Sequence, residues 1–169
     1  MILLKQQRRL EYHLVIDTED KMDRVQKAID LFKSGCNCSQ AVICAYSDLF
    51  GMDEGTAMCV SEGFGGGMGR MRLTCGAVSG VFMLVGLKYS KGIPKDLETR
   101  TKIYDTVQQM AKAFEEKNGS IVCGDLLGIN KPKDTGATPT ERNSEFYKKR
   151  PCVGCVEDCA RLVEEYLID

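Results

Sequence analysis

The apolar positions of this chain recur at helical spacing almost throughout, and strand-like alternation is nearly absent. Between residues 20 and 33, Met22, Val25, Ile29 and Phe32 repeat at 3-4-3 spacing, which predicts an amphipathic helix closed at Gly35. Cys38, Ala41, Val42, Ala45 and Leu49 mark a second helix stopped by Gly51, and residues 53–62 a short third. The run Gly63-Phe64-Gly65-Gly66-Gly67-Met68-Gly69 cannot form a stable helix interior. Residues 75–88 are apolar nearly all round, which predicts a central buried helix, and Gly76 and Gly80 on it would admit a close neighbour. The fifth and longest helix, 95–117, carries an inner stripe of Leu97, Tyr104, Val107, Ala111 and Phe114, and Asn118-Gly119 close it. A short helix over 120–127 ends at Gly128, and a last one covers 151–167. Between them residues 129–150 are polar, with Pro132, Gly136 and Pro139, and read as a long surface loop. Such loops serve as lids, binding loops or disordered segments. Residues 1–19 read as an N-terminal extension, helical near Leu3 to Val15. The expected fold is all-α, a single-domain bundle of about six helices over 20–169 with a glycine-rich loop before the central helix.

Composition narrows the function. With 169 residues, 43% hydrophobic and 28% charged, the chain can build an ordinary core. A net charge of -1 gives no general attraction to nucleic acid or anionic membranes. No apolar run approaches the ~20 residues of a membrane span. Met1-Ile2-Leu3-Leu4 is followed at once by Lys5, Arg8 and Arg9, the reverse of an export signal, so the expected location is cytoplasmic. The nine cysteines are an odd number without an export signal, which argues against a structural disulfide framework. They point to metal ligands, redox thiols or small core residues. The single histidine, His13, lies in the extension, which disfavours a mixed Cys/His zinc site.

Position carries more than number. Cys38, Cys75, Cys123 and Cys152 each fall at or near a predicted helix start, where unpaired backbone N–H groups and the helix dipole favour a thiolate. Pro151 suits a first helical position and sets Cys152 just inside. Cys75 has the strongest setting, with Arg70 and Arg72 close before it and the donors of the glycine loop beside it. Cys152, Cys155 and Cys159 share one helical face, as three metal or cluster ligands would, but the stripe continues through Leu162 and Tyr166 as a core seam would. Cys44 and Cys59 lie inside predicted helices and read as core fillers, while Cys36 is either a resolving thiol or incidental. The glycine run does not meet the context of a nucleotide loop, having no strand before it and no Gly-Lys-Ser/Thr ending. Backbone at Gly65, Gly66 and Gly67, with Arg70 and Arg72, is instead a candidate cradle for the thiols or for a bound anion. Glu62 beside it is either a proton acceptor or a surface carboxylate.

The segments Asn37-Cys38-Ser39-Gln40-Ala41-Val42, Cys75-Gly76-Ala77-Val78-Ser79-Gly80 and Cys123-Gly124-Asp125-Leu126-Leu127-Gly128, followed by Cys152, resemble the C_GCAxxG_C_C family over about residues 22–168. The family is described as redox-active, with four characteristic cysteines and a Cys-Gly-Ala-x-x-Gly motif, and the resemblance carries those cysteines onto Cys38, Cys75, Cys123 and Cys152. Cys36, Cys44, Cys59, Cys155 and Cys159 are extra to the motif.

Three functions compete. In the first, two helix-start thiols cycle between dithiol and disulfide, Cys75 attacking and Cys38, Cys123 or Cys152 resolving, with a partner protein or a small-molecule oxidant or reductant. In the second, Cys38, Cys75, Cys123 and Cys152 converge on zinc or an iron–sulfur cluster, with Cys155 and Cys159 as further ligands. In the third, the thiols are structural and residues 63–72 contact a partner or small anion. The glycine face and apolar helices would also suit a homodimer.

Overall fold

The computed structural model describes residues 23–129 and 136–168, and they are all-helical: α1 (Arg24–Lys33), α2 (Cys38–Tyr46), α3 (Glu54–Ser61), α4 (Gly76–Tyr89), α5 (Leu97–Asn118), α6 (Cys123–Leu126), α7 (Ser144–Lys149) and α8 (Cys152–Leu167). Short 3₁₀ turns follow α2 and α3. The extension 1–19 lies outside the described residues, as does Met22. No described helix is long and apolar enough to cross a membrane.

The central helix is α4. Ala77, Val78, Val81, Leu84 and Val85 are all buried, and α2, α5 and α8 pack around it. Gly76 and Gly80 face the start of α2. A Cβ on Gly76 would stand 2.9 Å from the Phe64 carbonyl oxygen and 3.2 Å from Cys38 Cβ, and one on Gly80 would stand 2.9 Å from the Ser39 carbonyl oxygen. These two glycines therefore set the distance between the helices that carry Cys38 and Cys75.

Helix α2 is buried from Ser39 to Tyr46 and is held by a capping box. Asn37 Oδ1 accepts from the Ser39 and Gln40 amides at 3.0 Å each, and Gln40 Oε1 accepts from the Asn37 amide at 2.9 Å. Asn37 Nδ2 also donates to the Glu62 carbonyl at 3.0 Å. Asn37→Ala removes the cap and this tie, and is expected to cost about 1–2 kcal/mol in urea unfolding.

The two ends of the described chain meet. Helices α1 and α2 pack on α8, and the Tyr46 hydroxyl, on a fully buried side chain, donates to the Ala160 carbonyl at 3.1 Å. On α8 the buried face is Cys155, Val156, Cys159, Ala160, Val163 and Leu167.

Four expectations need correction. The second helix ends at Tyr46, before Leu49, because the chain tightens into a 3₁₀ turn over Ser47–Phe50 and leaves through Gly51 at φ 77°; Leu49 is exposed. Cys59 is exposed on α3 and fills no core. On α5 the inward face is Ile103, Val107, Met110 and Phe114, whereas Leu97 and Tyr104 are 67% and 59% exposed. Both stripes pass through Val107 and Phe114, and the more apolar Ile103 and Met110 take the core while Tyr104 keeps its hydroxyl in water. Within the predicted loop 129–150 there is a helix, α7, capped by Asn143, whose Oδ1 accepts from the Phe146 amide at 2.9 Å.

Candidate functional site: a thiol cavity at four helix starts

All four cysteines at predicted helix starts are at helix starts in the structure. Cys38 opens α2, Cys75 is the N-cap of α4, Cys123 opens α6 and Cys152 opens α8 after Pro151.

The glycine-rich loop brings two of these starts together. Gly66, Gly67, Met68, Gly69, Arg70 and Arg72 all have positive φ. For each of the non-glycine residues this costs on the order of 1 kcal/mol. The loop doubles back so that the Leu73 amide donates to the Gly67 carbonyl at 3.1 Å. The chain after it then pairs antiparallel with the segment before α6 through Thr74 and Val122. The Cys75 amide donates to the Ile121 carbonyl at 2.8 Å, and the Cys123 amide to the Leu73 carbonyl at 2.6 Å. At Gly67, with φ 72°, a Cβ would lie 2.6 Å from Cys123 Cβ, so only glycine lets the loop lie against this cysteine.

The segment leading to α8 supplies the other wall. Arg142 Nη1 donates to the carbonyls of Phe32 at 3.0 Å and Cys36 at 2.6 Å, capping the end of α1 with a cation. Its guanidinium lies 4.6 Å from the Phe32 ring centroid, and Arg150 lies 4.5 Å over Phe146. These stacks hold Arg142 and Arg150 beside Cys152.

The thiols group in pairs. Cys38 donates to Cys152, which pulls the Cys152 thiol down to about 7; burial opposes this, and Arg150 and Arg142 add to it. The same bond, with burial, pushes Cys38 well up. Cys155 donates to Cys75, which lowers the Cys75 thiol against its burial, and the amide dipoles of Val78 and Ala77 at the start of α4 add to it. Cys155 is correspondingly raised, first by that bond and then by burial. Cys123 is raised by burial, opposed by Arg72, whose Nη1 donates to Cys123 Sγ at 3.9 Å.

A cavity of about 330 Å³ opens over Cys38, Cys123 and Cys152. Cys75, only 6% exposed, does not line it; it lies one layer deeper with Cys155. Gly65, Gly66, Arg70 and Arg72 line the cavity, whereas Gly67 lies behind Cys123. Arg70 is turned to the protein itself, its Nε donating to the Gly136 carbonyl at 2.8 Å and its Nη1 to Thr140 Oγ1 at 2.9 Å. Glu62 accepts from Gln40 Nε2 at 2.5 Å at the cavity wall.

The remaining thiols stand apart from the cavity. Cys159 is fully buried and pushed up by burial. Cys36 sits 4.0 Å from Met58 Sδ, and Cys44 is buried in the core with its thiol pushed up to about 11 by burial. Among the described residues no three His, Cys, Asp or Glu side chains gather as a single metal ion requires.

Sequence reasoning missed Arg142, Arg150 and Gln40. The first two lie in the stretch read as loop, where Asn143 three residues before Phe146 was the signal of a capped helix that would have flanked them with structure.

Fold and site together define a helical protein in which three thiols, Cys38, Cys123 and Cys152, stand at helix N-termini around one cavity. A family model described as "Putative redox-active protein (C_GCAxxG_C_C)" matches residues 36–166, and the chain belongs to that family. Neither the curated proteins nor the solved structures hold a match to it.

Proposed function

We propose that this protein is a dithiol–disulfide redox protein in which Cys152 attacks and Cys38 resolves. One observation carries the reading. The thiol drawn down to about 7 lines an open cavity together with a second cysteine, Cys38, which is the first cause of that lowering. A thiolate is the attacking species in disulfide exchange, and a neighbouring thiol is needed to release the mixed disulfide. Cys38, held protonated by its bond to Cys152, surrenders that proton as it attacks. Cys75 and Cys155 form a second pair below the first, too buried for direct attack on a substrate. This moves the attacking role from Cys75, which the local sequence favours, to Cys152, which substrate can reach.

Alkylation of Cys152, followed by peptide mass spectrometry, tests the assignment. Its rate is expected to rise with pH through a midpoint near 7, because the protonated thiol dominates below that pH and the thiolate above it. Arg150→Gln is expected to move the midpoint upward. A midpoint at the ordinary thiol value would overturn the reading. So would stoichiometric iron and sulfide in protein purified without oxygen and lost on Cys75→Ser, which would establish a cluster protein.

A further inference from the structure

The cavity carries a charge pattern that disulfide exchange alone does not require. Arg70, Arg72, Arg142 and Arg150 all line it, and Glu62 is the one carboxylate among the lining residues. Each arginine is held by neutral groups. Arg70 bonds a carbonyl and a hydroxyl, Arg142 bonds two carbonyls, Arg72 meets the Cys123 sulfur, and Arg150 stacks on Phe146. None forms an ion pair among the described residues. The whole chain is near neutral at -1, so this is a local concentration of positive charge. A Cys152 thiolate balances one of these charges and Glu62 another. The rest line the cavity without a counter-charge among the described residues.

Charge of one sign in a low-dielectric cleft selects its ligand by attraction and raises the encounter rate by about 10- to 1000-fold. Arginine in particular matches carboxylates through paired N–H donors. The cavity's volume of about 330 Å³ lies at the small end of ligand pockets and suits a small molecule better than a folded surface.

We infer that the oxidant taken by this cavity is a low-molecular-weight disulfide whose halves carry carboxylates. The inference rests on the thiol exchange proposed above. The Cys152 thiolate attacks one sulfur of the disulfide, forming a Cys152 mixed disulfide and releasing the first half as a thiolate, which takes a proton from water. Cys38 gives its proton to water and attacks Cys152 Sγ, releasing the second half in the same way. Two electrons pass from the two cysteines to the substrate, leaving a Cys38–Cys152 disulfide and two carboxylate thiols. A dithiol reductant returns the cysteines to the reduced state.

The test compares three disulfides on the reduced, full-length protein: dithiodipropionate, which is anionic, hydroxyethyl disulfide, which is neutral, and cystamine, which is cationic. Modification of Cys152 is read by peptide mass spectrometry. Each rate is divided by the rate of the same disulfide with a simple free thiol, which removes differences in leaving group. The anionic disulfide is expected to exceed the neutral one by about tenfold or more and the cationic one by a wider margin. The preference is expected to shrink as salt screens the cavity. Arg72→Gln and Arg150→Gln are each expected to reduce the anionic-to-neutral ratio, in which any change of thiolate population cancels. Exchange with all three at equal normalised rates, or a preference for cystamine, overturns the inference while leaving the thiol reading intact. No exchange at Cys152 with any of them removes the thiol reading and the inference with it.

Discussion

Cys152→Ser is expected to abolish the fast phase of disulfide exchange, with the residual rate at neutral pH lower by about tenfold or more. The size follows from the thiol's titration. A thiol with its midpoint near 7 is about half thiolate at neutral pH, against about 1% for one near 9. Nucleophilicity falls as the pKa falls, which returns roughly tenfold of that gain, so the lowered pKa is worth only about fivefold. The larger part of the loss is access. Of the five thiols at or behind the cavity, Cys152 and Cys38 are the half-buried ones, and Cys38 is held protonated. The companion Cys38→Ala has a different signature: the first attack persists, with a raised midpoint because the donor to Cys152 is gone, and the mixed disulfide accumulates instead of resolving. Stopped exchange followed by mass spectrometry separates the two variants. Equal rates in wild type and Cys152→Ser would show that another thiol attacks.

The largest effect on stability is expected at Gly67. An alanine there must hold φ at 72° and set its Cβ 2.6 Å from Cys123 Cβ and 2.9 Å from the Leu73 amide nitrogen. Left-handed backbone costs about 1 kcal/mol for an L-residue, and the overlap about 1–3 kcal/mol more. Gly92 is the internal control, since it has φ 66° with nothing within 4 Å of its would-be Cβ. Gly92→Ala is therefore expected to cost only the backbone part. Urea unfolding of the two variants isolates the packing cost at the thiol site. Equal destabilisation would mean that the loop yields and that Cys123 is not pinned by it.

The helix starts were legible because short-range chemistry fixes them. Asn37 with Gln40 three residues on makes a capping box, Pro151 makes a helix entry, and the glycine run forbids helix before Cys75. These signals act within a few residues, so sequence alone sets each cysteine at its helix end. Which thiol faces which is decided by packing between distant helices, and no local pattern encodes that. Cys155 looked equally like a ligand or a core residue because burial and contact with Cys75 both put it on the inner face of α8. The attacking role drifted toward Cys75 for the same reason: Arg70 and Arg72 are its near neighbours in sequence, but in space Arg70 reaches Gly136 and Thr140, and Arg72 reaches Cys123. The cations that act on Cys152 are Arg142 and Arg150, from a stretch whose polar composition hides its helix.

The meeting of α2 with α8 would tie the redox state of the proposed Cys38–Cys152 pair to chain topology. Cys38 and Cys152 lie near opposite ends of the described sequence, so a bond between them would close a loop of roughly a hundred residues, a cross-link that restricts the unfolded chain by about 4–5 kcal/mol. The oxidised protein would then be a clasped ring of helices, slow to open and resistant to proteolysis. Its reduced form would be the one that breathes, with α8 free to lift from the bundle as a unit. Limited proteolysis within α8 would thus report the electron count of the cavity without any probe of sulfur.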